Sequence, residues 1–116
     1  MKSNIARSKW RNARLLSVFL DGTGTAAITG PDAGLFTLTD NGTGDYTLTA
    51  TTAFAEPPYV TCMALTADIA FSLVSAPTTT VINITSKEVD GAPIAKDADF
   101  WVLIYAAMPF SFDSDV

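Results

Sequence analysis

The sequence contains no histidine and a single cysteine, Cys62. These absences remove His-based nucleophile systems, zinc sites built from Cys or His ligands, CxxC redox pairs and any internal disulfide. Charge is also scarce: 16% of the 116 residues are charged, against roughly one quarter in an ordinary soluble domain. Long apolar runs are missing too. Although 48% of the residues are hydrophobic and mean hydropathy is +0.28, the longest apolar stretch, Phe100 to Met108, is far shorter than the ~20 residues of a spanning helix. No membrane partner, no cofactor and no enzymatic activity are expected.

What charge there is divides sharply. Five of the seven cations, Lys2, Arg7, Lys9, Arg11 and Arg14, fall in the first fourteen positions, and all twelve acids follow at Asp21 or later. The opening therefore carries +5, and the remainder, with two cations against twelve acids, carries −10. This pattern divides the chain into a basic arm over 1–14, a body over 15–108 and a tail over 109–116. The opening does not read as a secretion signal, because the basic part leads into a short, serine-interrupted LLSVFL without a small-residue cleavage site. Without export, the sequons Asn41-Gly42-Thr43 and Asn83-Ile84-Thr85 have no consequence.

Five cations with Trp10 among them can neutralise phosphates, but the acidic body would be repelled by the same polymer, so nucleic acid is a poor partner. A docking segment that orders on an acidic protein surface suits both halves better, with Trp10 and Ile5 as anchors. The expected docking residues are Lys2, Ile5, Arg7, Lys9, Trp10, Arg11 and Arg14.

Past Arg14 the chain reads as short strands separated by turn chemistry, with no convincing helix. The expected strands are Leu15 to Leu20, Thr25 to Thr29, Leu35 to Thr39, Tyr46 to Ala53, Tyr59 to Leu65, Ile69 to Ser75, Thr79 to Ser86 and Phe100 to Ala107. Between them lie glycine- and proline-bearing turns, of which Asp40-Asn41-Gly42-Thr43-Gly44 is the strongest hairpin signal. About eight short strands at this spacing predict an all-β antiparallel sandwich or jelly roll. In Phe36-Thr37-Leu38-Thr39 and Tyr46-Thr47-Leu48-Thr49 the alternation has period two, so Phe36, Leu38, Tyr46 and Leu48 are expected to point inward.

Three strands depart from that alternation. Phe100 to Tyr105 is apolar throughout, Leu15 to Leu20 nearly so, and Tyr59 to Leu65 has apolar residues at both parities. A strand that is apolar on both sides must be covered on both sides. Without helices, the second cover is expected to be another copy of the chain. The expected subunit-contact residues are Leu16, Val18, Tyr59, Met63, Phe100, Val102 and Ile104.

Motifs that could carry chemistry are weak. Asp21-Gly22-Thr23-Gly24 lacks the Gly-Lys-Ser/Thr ending of a phosphate loop and has no second carboxylate turn of the acid-protease type. Asp40 to Asp45 lacks the alternating carboxylates and closing Glu of a calcium loop, so an Asx-type turn is expected and no metal site. Asp97 and Asp99, near Glu88 and Asp90, would need an aromatic-lined cleft to act as a glycosidic pair. They are expected to be solvated loop acids.

Phe19-Leu20-Asp21-Gly22-Thr23-Gly24-Thr25, then Leu38-Thr39-Asp40-Asn41-Gly42-Thr43-Gly44-Asp45-Tyr46-Thr47-Leu48-Thr49, then Thr52-Ala53-Phe54 and Tyr59-Val60, resembles a module of tailed-bacteriophage virion proteins. That family repeats a phrase of the type F-D/N-G-T-G-T, then I/V-T-D-N-G-T-G-D-Y-T-V-N-F, then T-A-M/F and Y, commonly at the C-terminal end of tail fibres. The resemblance spans about residues 15 to 108 and implies a trimeric β-sandwich displayed on the particle, with no catalytic residues. With only the basic arm ahead of the module, the expectation is a capsid decoration or cement protein. Its homotrimer would sit on the capsid exterior and contact the major capsid protein or another virion protein. The alternative is a head-fibre or tail-fibre tip that binds a host-surface glycan.

Overall fold

The computed structural model describes residues 9–65, 68–73, 75–89 and 94–109. Among these described residues nine strands follow one another: β1 (Ala13–Asp21), β2 (Ala27–Thr29), β3 (Phe36–Gly42), β4 (Asp45–Ala50), β5 (Tyr59–Ala64), β6 (Ile69–Leu73), β7 (Val81–Glu88), β8 (Ile94–Ala95) and β9 (Asp99–Ala107). Short 310 turns at Lys9–Asn12 and Ala33–Leu35 are the only helical pieces among the described residues. Eight of these strands answer to the expected ones with shifted ends. β8 was not foreseen, since two residues carry no readable period.

The strands form two antiparallel sheets, ordered β2-β1-β9-β5 and β3-β4-β7-β6, with β8 added along β7. They share one core, as the expected all-β sandwich requires. β1 contributes Leu16, Val18 and Leu20, β9 contributes Phe100, Val102 and Ile104, and from the facing sheet come Tyr46, Leu48, Ile82 and Ile84, all essentially inaccessible. Phe36, Tyr46 and Leu48 are buried and Leu38 packs partly buried against them, so the inward set read from period two stands. The Phe100 ring meets Phe71 at 4.5 Å and Tyr46 at 5.9 Å between centroids, tying β9 to both β6 and β4. Burial of each such side chain contributes about 1.5–3 kcal/mol.

Turn chemistry behaves as its residues dictate. The Asp40 Oδ1 accepts the Gly42 amide at 3.0 Å, an Asx-type turn as expected. Gly42 and Gly44 then take φ of 129° and 65°, which L side chains rarely adopt. The register of β3 with β4 slips at this point, between Asp40 and Gly42.

One boundary changes. Lys9–Asn12 form a turn and β1 begins at Ala13, so the end of the expected arm, residues 9–14, belongs to the body. The reason is the length of β9: its Ala106 and Ala107 pair with Arg14 and Ala13, extending the ladder past Leu15. At the other end Met108 is buried, while 110–116, with Phe110 and Phe112, lie outside the described residues.

Candidate contact surface

The outward face of the β2-β1-β9-β5 sheet is built by the parity of its strands. The register aligns Leu15 with Tyr105 and Tyr59 in one row, Ser17 with Leu103 and Thr61 in the next, and Phe19 with Trp101 and Met63 in a third. No charged residue interrupts these rows, and Leu15 and Tyr59 are 63% and 70% exposed. Phe19 and Trp101 meet edge to face at 5.2 Å, a favoured aromatic geometry. A shallow groove of about 190 Å³ runs between Leu15, Tyr59, Leu103 and Tyr105.

Trp10 lies on the same face, its indole stacked on Tyr59 at 5.4 Å and on Tyr105 at 5.6 Å. Expected as an anchor for a foreign surface, it is instead half-buried on its own sheet. The exposed tyrosines of β5 and β9 supply the nearest large apolar area, so the indole is satisfied within the chain. Of the other expected docking residues, Lys2, Ile5 and Arg7 lie outside the described residues. Lys9 and Arg11 belong to the 310 turn, and Arg14 is exposed on β1.

The expected contact set is corrected by the same parity. Leu16, Val18, Phe100, Val102 and Ile104 are fully buried between the sheets and cannot be offered to a neighbour. Only Tyr59 and Met63 of that set face outward and are exposed. Where both parities are apolar, period two cannot tell the inner row from the outer. The discriminating signal was Ser17, a polar residue that marks the wetter side of β1, with Leu15 and Phe19 on the same parity.

The carboxylates near the end of the sandwich also differ from expectation. Asp97 accepts the Gly44 amide at 2.8 Å and the Tyr46 hydroxyl at 3.0 Å. Asp99 accepts the Gly22 amide at 3.1 Å and the Thr23 hydroxyl at 3.3 Å. Rather than solvated loop acids, both are half-buried clips that hold the Gly22 and Gly44 turns against the start of β9. Burial, then the Asp97 bond and charge, pushes the Tyr46 phenol up to about 12. Asp21, opposite Asp99 in the ladder, is held below the usual carboxylate range by hydrogen bonding from Asp99 and then from Thr23. An open hollow of about 420 Å³ is lined by Asp97, Asp99, Lys96, Leu65 and Ile69, but its two carboxylates already serve backbone amides. Among the described residues no cluster of three metal-ligating side chains occurs.

Cys62 faces inward from β5, and burial pushes its thiol up to about 12. A free cysteine with so little thiolate at neutral pH is a packing residue. Comparison with protein-family models, with curated proteins and with solved structures finds no match to the chain.

Proposed function

We propose that the chain is a structural contact subunit: a β-sandwich that covers its apolar outer sheet with copies of itself and decorates the exterior of a tailed-phage capsid. The observation that carries this reading is the three uncharged rows of the outer face that lie short of the Asp21–Asp99 pair, in which exposed Leu15, Tyr59, Met63 and Tyr105 flank the half-buried Phe19, Trp101 and Leu103. Contiguous apolar surface of this kind marks an interaction site. A second copy is the favoured cover, because the same uncharged rows on both partners meet without unpaired charge. The threefold order and the virion setting rest on the motif resemblance, and the cations of residues 1–8 supply the contact with an acidic shell protein.

Light scattering of the full chain is expected to give a multiple of three protomers, and Leu103→Glu, which places a charge in the middle of the face, is expected to break the threefold assembly. Removing residues 1–8 while keeping Trp10 is expected to leave the oligomer intact and abolish co-sedimentation with phage particles. A monomeric full chain refutes the subunit reading. Full occupancy of particles by the shortened chain refutes the docking role.

A further inference from the structure

The two sides of the sandwich are finished differently. On one side β2 is three residues long, and beyond it Asp32 clips the bare edge of β1, accepting the Ser17 amide at 2.9 Å and donating its own amide to the Ser17 carbonyl at 3.2 Å. The other strand there, β3, ends in the bulge at Asp40 and Gly42. Shortness, a capping loop, a charge and a bulge are the devices by which natural sheets refuse edge pairing.

Among the described residues β5, on the opposite side, has none of them. β5 lies at the end of its sheet, pairs only with β9, runs without a bulge, and contains neither charge nor proline. Among the described residues no backbone–backbone hydrogen bond reaches β5 from its outer edge. β6, the other edge on this side, is shorter by one residue.

We infer that β5 pairs edge to edge with β5 of a second copy, joining two four-stranded sheets into one of eight strands. The sequence of β5 is self-complementary in the antiparallel sense. With Thr61 opposite its own copy, Tyr59 faces Met63 on the outer face and Val60 faces Cys62 on the inner. Every pair is then uncharged and of a kind that stabilises a ladder, including a central Thr–Thr pair and two sulfur–aromatic contacts. A foreign strand would find no charge on β5 to select it, whereas an identical strand matches by symmetry. The inference rests on the reading of the chain as a self-associating subunit, but not on its place in a virion; because a β5–β5 contact joins copies in pairs, with the threefold order it links two trimers into six protomers and without that order it forms a dimer.

The test uses the full chain carrying Cys62→Ser. Thr61→Cys, treated with a short bis-maleimide, is expected to form covalent dimers at least tenfold faster than Thr39→Cys on the blunted β3 edge. In the unmodified background Thr61→Lys is expected to halve the solution mass at equal concentration while leaving thermal unfolding as a single transition. Equal cross-linking rates at positions 61 and 39, or a mass untouched by Thr61→Lys, overturn the edge contact. A three-protomer mass without enhanced cross-linking overturns the edge contact and leaves the trimer standing. A two-protomer mass with fast cross-linking supports the edge contact and refutes the threefold order.

Discussion

Removing one oxygen from the core, in Tyr46→Phe, isolates the clip between β4 and the start of β9. The ring is fully buried against Phe100 and its hydroxyl donates to Asp97 at 3.0 Å. Loss of a hydrogen bond to a half-buried carboxylate costs about 1–2 kcal/mol at pH 7. With a urea dependence of roughly 1.5 kcal/mol per M for a domain of this size, the unfolding midpoint falls by about 1 M. The alkaline limb gives a sharper signature. In the unfolded chain Tyr46 releases its proton near 10, and in the folded protein only near about 12. The folded state therefore binds this proton more tightly, and its contribution is complete below pH 10 and lost as pH rises from 10 towards 12. The ceiling is about 3 kcal/mol, and solvent at the adjoining hollow reduces it to roughly half. Urea midpoints followed by Trp10 and Trp101 fluorescence at pH 7, 9, 10 and 11, at fixed protein concentration, should converge for the two proteins as pH rises. Parallel curves across that range would refute the claim that the phenol is held in its neutral form by burial and Asp97.

Gly44→Ala should abolish or severely weaken folding, because the new Cβ would strike the Ser86 carbonyl and sit 2.9 Å from the Lys96 amide at a φ of 65°. Gly24→Ala, at nearly the same φ but with open space around it, should cost only about 1–2 kcal/mol; thermal melts of the pair check the contrast. Asp99→Asn keeps an acceptor for the Gly22 amide and gives Asp21 an amide donor in place of an ionisable carboxyl, so its midpoint at pH 7 should not fall below that of the parent. Because the Asp21 carboxyl is held low, its contribution is present above the ordinary carboxylate range and lost as pH falls through its lowered value, which an acid titration of the melting temperature will follow. Native Cys62 should resist iodoacetamide at pH 8 and react promptly once urea unfolds the chain, as mass spectrometry can record.

The strands were legible because threonine and apolar residues alternate through Phe36 to Thr39 and Tyr46 to Thr49, and because glycine, proline and Asx residues mark the turns. The contact surface was half legible. Apolarity at both parities of β1, β5 and β9 announced a two-sided sheet, and Ser17 of β1 marked which row faces out. That choice is made by β4 and β7, whose Tyr46, Leu48, Ile82 and Ile84 fix the plane of the core. The clips of Asp97 and Asp99 were not legible at all, since their partners lie 53 and 77 residues away and no local pattern encodes such a meeting. The place of Trp10 on the outer face was not legible for a related reason: its stacking partners, Tyr59 of β5 and Tyr105 of β9, are distant in sequence.

The pairing of β1 with β9 has a consequence for how the protein is made. Partners in that ladder are 78 to 94 residues apart, so β1 leaves the ribosome with one whole edge unpaired and stays so until Ala107 has followed. β5 waits as well, since among the described residues β9 is its only ladder partner. β1 and then β5, two of the most apolar strands of the molecule, thus wait exposed until β9 has been made, and closure depends on the slow search that distant contacts impose. At high expression the appearance of β9 decides between a finished sandwich and an aggregate.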